Sequence, residues 1–183
     1  MWRRTRCSLF PIPACVAGWS WAWGETVFKA LHPSPGLPYL GNDSSCVLTV
    51  ENAAGRILLP GDIEARAERA LLAASPGELA SRILLAPHHG SATSSTPELV
   101  AATRPDYVLY SSGYRNRFGF PRPEVRQRWS GVGALGLATA DTGAIEFRLG
   151  ADGQLQGLRV GVSDILARKD QHAAKDELRV FAG

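Results

Sequence analysis

A chain of 183 residues, 45% of them hydrophobic and 20% charged, is long enough for one soluble globular domain with a sizeable core. The net charge of +3 and the pI near 9.0 permit an anionic partner such as nucleic acid but do not require one. No apolar run approaches the roughly 20 residues that a membrane-spanning helix needs. The sequence therefore predicts no transmembrane segment and a chain that is soluble by itself.

Three cysteines, Cys7, Cys15 and Cys46, show neither a Cys-x-x-Cys pair nor the spacing of a zinc ribbon. A disulfide between Cys7 and Cys15 is one option in an oxidising compartment, and buried free thiols are an equally good one. The cysteines therefore do not decide the compartment.

Residues 1–18 lack periodicity and are expected to form an irregular lead-in. Over residues 19–150 strands and helices alternate, which predicts one α/β domain without an internal linker. Trp19, Trp21 and Trp23 alternate with small residues and predict a strand that forms a hairpin with residues 26–31. Their rings suit packing on a sheet face, the commoner use of such alternation, and also suit a platform for stacked bases.

The remaining elements follow from apolar runs and helix signals. Ser95 is the expected N-cap of a helix that ends near Thr103, with Glu98 at capping-box spacing. Residues 151–183 are expected to add an edge strand at 158–162 and a charged, peripheral helix over 164–181. The other predicted strands are 46–50, 56–59, 83–86, 107–111, 134–139 and 144–149, and the other predicted helices are 63–74 and 123–129.

Polar residues that suit catalysis follow two of the predicted strands. Asp62 comes just past the strand 56–59, and His88 and His89 come just past the strand 83–86. Because side chains converge at the carboxyl ends of strands in an open α/β sheet, this placement could let an Asp and a His ligate one divalent metal ion. A turn or an ordinary loop explains each residue singly, whereas the whole set favours a functional interpretation.

The candidate metal site is incomplete within this sequence. Catalytic zinc usually takes three protein ligands, and one Asp with one or two His falls short. His32 is a conceivable further ligand, although its place before the proline-rich loop 32–41 predicts a surface position. His172 lies in the charged tail and is expected to be solvated.

A second group of residues is basic and aromatic. Arginine forks suit phosphate oxygens and aromatic rings suit bases, so this group predicts a contact with nucleic acid. A basic surface patch whose aromatic rings close the core explains the pattern equally well. The residues assigned to the contact are Arg115, Asn116, Arg117 and Phe118.

Four motifs, in this order, carry a family resemblance. They are Asn42-Asp43-Ser44-Ser45-Cys46-Val47-Leu48, Leu59-Pro60-Gly61-Asp62-Ile63-Glu64, Pro87-His88-His89-Gly90-Ser91, and Arg115-Asn116-Arg117-Phe118-Gly119 with Pro121 and Pro123-Glu124-Val125 after it. Together they resemble the metallo-β-lactamase-like domain at the C-terminus of the DNA-internalisation competence protein ComEC, over residues 19–149. The resemblance implies an αβ/βα sandwich of which this chain holds mainly the second half.

The same resemblance implies the site and its partners. Asp62 and His88 would be the catalytic and metal-binding residues, and the residues lining the site would be Asn42, Asp43, His89 and Ser91. The ion in the parent family would be zinc or manganese, bound weakly or not at all by this chain. Single-stranded DNA and the remainder of a ComEC-like membrane channel would be the partners, with the domain attached to a bacterial inner membrane through the parent protein, on the periplasmic side.

Two departures limit what the resemblance transfers. The upstream His-x-His-x-Asp-His motif of the superfamily has no counterpart here, and Phe120 and Arg122 stand where the family often has histidines. Without the first half of a sandwich, one sheet face would lose its packing partners. Each buried aliphatic side chain contributes roughly 1.5–3 kcal/mol, so the sequence predicts an unstable or aggregation-prone polypeptide. The residues expected to lose partners are Leu58, Ile83, Leu85 and Val108.

These observations predict the C-terminal part of a ComEC-like competence protein, involved in DNA uptake in transformation. Its fold would be that of a metal-dependent phosphodiesterase or nuclease, inactive in this short form. Two alternatives remain: a non-catalytic DNA-binding or scaffold module, and another phosphoesterase of the metallo-β-lactamase fold.

Overall fold

The computed structural model describes residues 15–150, 152–159 and 178–182. A seven-stranded mixed sheet forms its centre, with its strands in chain order from one edge to the other. The first four strands pair antiparallel, and the fourth to seventh pair parallel. They are β1 (Ser20–Trp23), β2 (Thr26–His32), β3 (Val47–Asn52), β4 (Gly55–Leu59), β5 (Ile83–Leu85), β6 (Tyr107–Tyr110) and β7 (Leu135–Ala138).

Helices connect the parallel strands, as parallel pairing requires. α1 (Ala65–Ala74) joins β4 to β5, α2 (Pro97–Thr103) joins β5 to β6, and α3 (Pro123–Gly131) joins β6 to β7. The single-turn α4 (Thr139–Thr142) follows β7. The α/β class and the N-terminal hairpin of β1 and β2 are thereby confirmed.

A smaller antiparallel sheet consists of β8 (Ile145–Leu149) between β9 (Leu155–Arg159) and β10 (Leu178–Ala182). The predicted helix over 164–181 is therefore wrong at its end, because pairing with β8 overrides the local charge pattern there. Residues 164–177, including His172, lie outside the described residues. The predicted edge strand at 158–162 corresponds to β9, which begins earlier and ends at Arg159.

Each face of the large sheet has its own apolar layer. Leu58, Leu84 and Val108 pack under the three connecting helices, and Trp129 of α3 is fully buried among them. Ile57, Ile83 and Leu109 pack on the opposite face, against a layer that β8 provides through Ile145, Phe147 and Leu149.

The predicted loss of packing partners is wrong for three of its four residues. Leu58, Ile83 and Val108 are fully buried, while Leu85 is half-buried. The reason is that the helices cover one face of the sheet and the small sheet covers part of the other. No residue pattern along the chain indicates that β8 returns over the large sheet.

An aromatic strip, defined here as Trp19, Trp21, Trp23 and Phe28, lies at the open edge of the large sheet. The register places Trp21 opposite Phe28 and Phe28 opposite Val50, so the strip continues the face that β8 covers further along. Trp21 stacks on Phe28 with ring centroids 4.8 Å apart. The tryptophans stay exposed by 38%, 37% and 76%, respectively, and so are not core residues.

A disulfide joins Cys15 to Cys46, with their Cα atoms 5.8 Å apart. Neither option that the sequence left open, a Cys7–Cys15 bond or free thiols, holds for Cys15 and Cys46. Cys7 lies outside the described residues. Residues 15–18 run beside β2, because Ala17 N–H donates to the Pro33 carbonyl and Gly18 N–H to the Ala30 carbonyl. The fold thereby brings Cys15 next to the start of β3, which local sequence could not indicate. Across the described ranges, no helix has the length and apolar character needed to cross a membrane.

Candidate functional site

Two loops run side by side at the carboxyl ends of β4 and β5. The segment 60–64 follows β4, and the turn Pro87–Gly90 follows β5. Two main-chain hydrogen bonds tie the loops together: His88 N–H donates to the Gly61 carbonyl (3.1 Å), and Ala65 N–H donates to the Thr93 carbonyl (3.0 Å). The predicted meeting of Asp62 with the two histidines at adjacent strand ends is what the topology produces.

Side chains of the two loops form two carboxylate–imidazole pairs. His89 Nε2 lies 3.4 Å from Asp62 Oδ1, and His88 Nδ1 lies 3.1 Å from Glu64 Oε1. Ile63 between the two carboxylates is fully buried, which turns Asp62 and Glu64 away from the core. The sequence prediction paired Asp62 with His88 and did not single out Glu64. The polar–apolar–polar alternation over residues 62–64 was the pattern that could have indicated Glu64 as a second polar residue on the same side as Asp62.

The turn that carries the histidines has an unusual backbone. Positive φ angles occur at His88 (48°), His89 (56°) and Gly90 (88°). This region costs roughly 1–2 kcal/mol for an L-residue, and such strain is often found at functional sites. Only glycine fits at position 90, because a Cβ atom there would lie 2.6 Å from Pro121 Cβ.

Hydrogen bonds of small side chains hold this turn in place. Ser94 Oγ lies 2.7 Å from the Pro87 carbonyl oxygen and 3.0 Å from that of Ser91, so its single proton is shared between the two acceptors. Ser91, which the resemblance places in the lining of the site, is buried, and its Oγ lies 3.0 Å from Thr93 Oγ1. The hydroxyl of Ser91 therefore organises the loop that follows the histidines.

The one-turn 3₁₀ helix Gly41–Ser44 lies against the start of α1. Asn42 Nδ2 donates to Glu64 Oε1 (3.4 Å), so Asn42 reaches the site through Glu64. Asp43 Oδ1 accepts from Glu64 N–H (3.0 Å) and Ala67 N–H (3.3 Å), and so satisfies free amides in the first turn of α1.

His32 is buried rather than at the surface, because β2 extends through it. Its Nε2–H donates to the Asp43 carbonyl (2.8 Å). This hydrogen bond connects His32 of β2 to the 3₁₀ turn Gly41–Ser44.

The donor set bears directly on the expected metal. Among the residues that the structure describes, no three His, Cys, Asp or Glu side chains group closely enough to hold an ion. Asp62, Glu64, His88 and His89 supply pairs of donors, whereas a catalytic zinc site takes three protein ligands. These residues by themselves therefore do not fit a catalytic metal.

An arginine–aromatic loop, defined here as residues 113–122, packs directly on the histidine turn. Phe120 contacts the His88 ring edge-on at 5.8 Å between centroids, and Arg122 N–H donates to the Gly90 carbonyl (2.9 Å). Asn116 closes the loop on itself, since its Nδ2 donates to the Phe120 carbonyl and its Oδ1 accepts from Phe120 N–H. The amide of Asn116, predicted to contact nucleic acid, is thus engaged within the loop.

The tip of the arginine–aromatic loop presents rings and charges to solvent. Tyr114 is 74% exposed and Phe118 is 53% exposed. The Arg115 guanidinium lies 5.2 Å from the Tyr114 ring centroid, and that of Arg117 lies 4.8 Å from the Phe118 centroid. Cation–π contact of this kind keeps a guanidinium beside a ring without using its hydrogen-bond donors.

Arginines further along the chain have structural partners. Arg126 Nη2 lies 3.4 Å from Asp141 Oδ2. Arg128 Nη1 donates to the carbonyls of Ser94 and Ser95. Arg126 is nevertheless exposed, whereas Arg128 is half-buried, so the two arginines of α3 differ in how far they are held within the fold.

A buried carboxylate on α1 holds the segment that follows the histidine turn. Glu68 of α1 accepts from Ser95 N–H (2.5 Å) and Thr96 N–H (2.8 Å). Burial raises the pKa of Glu68, and the hydrogen bonds from Thr96 and Ser95 and the charge of Arg128 oppose this rise.

Ser95 cannot be the predicted N-cap of α2, because it has φ of +57°, whereas an N-cap is usually extended. Thr96 takes this place, and its Oγ1 accepts from Leu99 N–H.

Burial raises the pKa of Tyr110, the last residue of β6, to about 12, so this phenol stays protonated at neutral pH.

No family model matches the chain. It is 37% identical over 141 residues to Competence protein ComA of Neisseria gonorrhoeae, which covers 76% of this chain and 20% of that protein. It is 32% identical over 153 residues to Uncharacterized protein YcaI of Escherichia coli (84% and 20%). It is 36% identical over 114 residues to Recombination protein 2 of Haemophilus influenzae (62% and 14%).

The chain thus spans a fifth or less of the length of these relatives. The relatives support a relationship to a competence-protein family.

Proposed function

We propose that this chain is the C-terminal part of a ComEC-like competence protein and that it supplies a DNA-contacting surface during DNA uptake. One observation carries the proposal: the arginine–aromatic loop packs on His88, beside the Asp62–His89 and Glu64–His88 pairs. The similarity to a protein named for competence supports DNA as the ligand.

The chemistry of the exposed loop favours a single strand. Arg115 and Arg117 suit phosphate oxygens, and Tyr114 and Phe118 offer ring faces on which unpaired bases stack. The neighbouring carboxylates would repel phosphate if they stood alone. Because each faces an imidazole, that repulsion is reduced whenever the imidazole is protonated.

The parent fold in this proposal is a metallo-β-lactamase-like hydrolase, of which the chain forms one part of the cleft. We expect weak binding of zinc or manganese and no robust cleavage by this chain alone. Robust cleavage of labelled single-stranded DNA after addition of Mn²⁺ or Zn²⁺, abolished in Asp62→Ala, would overturn it.

In such a protein we expect this domain to lie on the periplasmic side of the inner membrane, attached through the longer parent chain. The Cys15–Cys46 disulfide supports an oxidising compartment, since such bonds are rare where thiols are kept reduced.

DNA binding is tested with the double variant Arg115→Ala/Arg117→Ala. Binding of a fluorescent single-stranded oligonucleotide is measured by anisotropy over a range of salt concentrations. Removal of one arginine–phosphate interaction should reduce the slope of log K against log salt by roughly 0.7. We therefore expect weaker binding and a slope smaller by about 1.4 in the double variant.

The matched control is Arg69→Ala/Arg104→Ala, which removes the same charge from exposed positions outside the loop. Arg104 caps α2 ahead of the amino end of β6, whereas the site lies at the carboxyl ends of the strands. An equal effect of both double variants would reduce the binding to general charge attraction. Unchanged binding in the Arg115/Arg117 variant would dismiss the proposed surface.

A further inference from the structure

The two ring nitrogens of His88 have different surroundings. Nδ1 lies 3.1 Å from Glu64 Oε1 and 3.5 Å from Thr93 Oγ1. A carboxylate only accepts hydrogen bonds, so a neutral His88 satisfies this contact only with its proton on Nδ1. The arrangement therefore selects the Nδ1–H tautomer and leaves the lone pair on Nε2.

Glu64 is itself held by residues of the 3₁₀ turn. Asn42 Nδ2 donates to the same oxygen, Oε1, that faces His88. The Glu64 main chain is fixed separately, because its N–H donates to Asp43 Oδ1, and the Asp43 carbonyl accepts from buried His32. The carboxylate thus has a defined position before any ligand binds.

Partial burial strengthens this contact. The side chain of His88 is 22% exposed and that of Glu64 is 33% exposed, whereas His89 and Asp62 are 46% and 44% exposed. Attraction between a carboxylate and an imidazole N–H weakens as water competes for either group. The Glu64–His88 pair is therefore the better shielded from water of the two pairs.

We propose that Glu64 is the positioning residue of this site and that it holds His88 in the Nδ1–H tautomer. His88 then offers Nε2 as a hydrogen-bond acceptor to whatever binds beside the arginine–aromatic loop. The tautomer follows from the protein alone, whereas the identification of the ligand as DNA rests on the proposed function.

The test is the ¹⁵N spectrum of the histidine rings in the full 183-residue chain, at a pH where the imidazoles are neutral. In the wild type we expect a protonated-type shift for Nδ1 of His88 and an unprotonated-type shift for Nε2. In Glu64→Ala the two shifts should exchange, because a free imidazole side chain prefers the proton on Nε2. A wild-type His88 with its proton on Nε2 would overturn the proposal without any variant.

Two variants separate Glu64 from its neighbours. Thr93→Val removes the other group near Nδ1, and Asp62→Ala removes the partner of His89, so both should leave the His88 tautomer unchanged. An exchange in Thr93→Val, or none in a folded Glu64→Ala, would assign the tautomer to another cause. The spectra contain no DNA, so a failure of the Arg115/Arg117 experiment would leave this result standing.

Discussion

Two carboxylates define this molecule at the level of single residues, and the sequence pattern singles out neither as a site residue. Glu64 faces His88 at the surface, while Glu68 is fully buried one helical turn later. Both lie at the start of α1, where acidic residues are common for reasons of helix stability alone. Their roles depend on loops that come from elsewhere in the chain.

Glu68 predicts a particular dependence of stability on pH. Its pKa is raised in the folded state, so the native protein binds a proton more tightly than the unfolded chain does. The stabilising contribution of this group is fully present below the ordinary pKa of a glutamate and is lost as pH rises through the raised value. The free energy of unfolding of the wild type, relative to Glu68→Gln, should therefore fall over this range.

Urea unfolding at a series of pH values measures that difference. The glutamine of Glu68→Gln cannot titrate, so subtracting the variant removes the contributions of the other carboxyl groups. We expect Glu68→Gln to be destabilising at the acidic end, since the amide NH2 of glutamine cannot accept one of the two hydrogen bonds that Ser95 N–H and Thr96 N–H donate to the carboxyl oxygens. A difference that grows with pH would contradict the assignment.

At the level of structural elements, the Cys15–Cys46 disulfide fixes the segment that follows the 3₁₀ turn Gly41–Ser44. Cys46 follows Ser45, whose Oγ accepts from Asp62 N–H (3.2 Å). Gly61 packs against Ser45 so closely that a Cβ atom would lie 2.9 Å from Ser45 Cβ. The Cys15–Cys46 bond therefore anchors the segment that supports both Asp62 and Glu64.

Loss of this bond should destabilise the protein. The two cysteines are 31 residues apart, and closing a loop of that length in the unfolded chain corresponds to roughly 3–4 kcal/mol in the chain-entropy model. We expect Cys15→Ser/Cys46→Ser to lose about this much free energy of unfolding in urea, without added reductant.

The matched control is Cys7→Ser, which leaves Cys15 and Cys46 intact and should retain the wild-type midpoint. Adding reductant should lower the midpoint of the wild type and of this control but not that of the double variant. Equal midpoints for the wild type and the double variant would show that the bond contributes nothing.

Across the molecule as a whole, the large sheet is covered unequally. The helices close one face, and β8 with Leu155 of β9 covers part of the other. The three tryptophans of the aromatic strip stay exposed at the edge of that cover, whereas Phe28 packs against it. Exposed apolar surface of this kind favours association, but it lies elsewhere than the four residues on which the sequence prediction of aggregation rested.

We therefore expect the isolated chain to self-associate and Trp23→Ser to reduce that association. Trp23 is 76% exposed, so its replacement should cost little folding energy. Sedimentation velocity at several protein concentrations measures the change. Tyr39→Ser is the control, since Tyr39 is 86% exposed but lies outside the strip. A wild-type chain that remains monomeric, with one sharp thermal transition, would contradict the expectation.

Local sequence was enough to establish the α/β class and most of the strands and helices between residues 19 and 150. It also placed Asp62, His88 and His89 at the ends of neighbouring strands. These features depend on apolar periodicity and on turn residues close by in the chain, so neighbouring residues carry the necessary information. The motif order similarly pointed to a competence-protein family, to which the sequence relatives also point.

Which groups meet was settled by the three-dimensional packing. It joined Cys15 to Cys46, paired His88 with Glu64 rather than with Asp62, buried His32 and made Leu178–Ala182 a strand beside β8. Each of these contacts links segments that are far apart in sequence, or chooses between two neighbouring side chains. Such choices depend on how the loops pack against one another, and residue patterns along a chain carry no information about that packing.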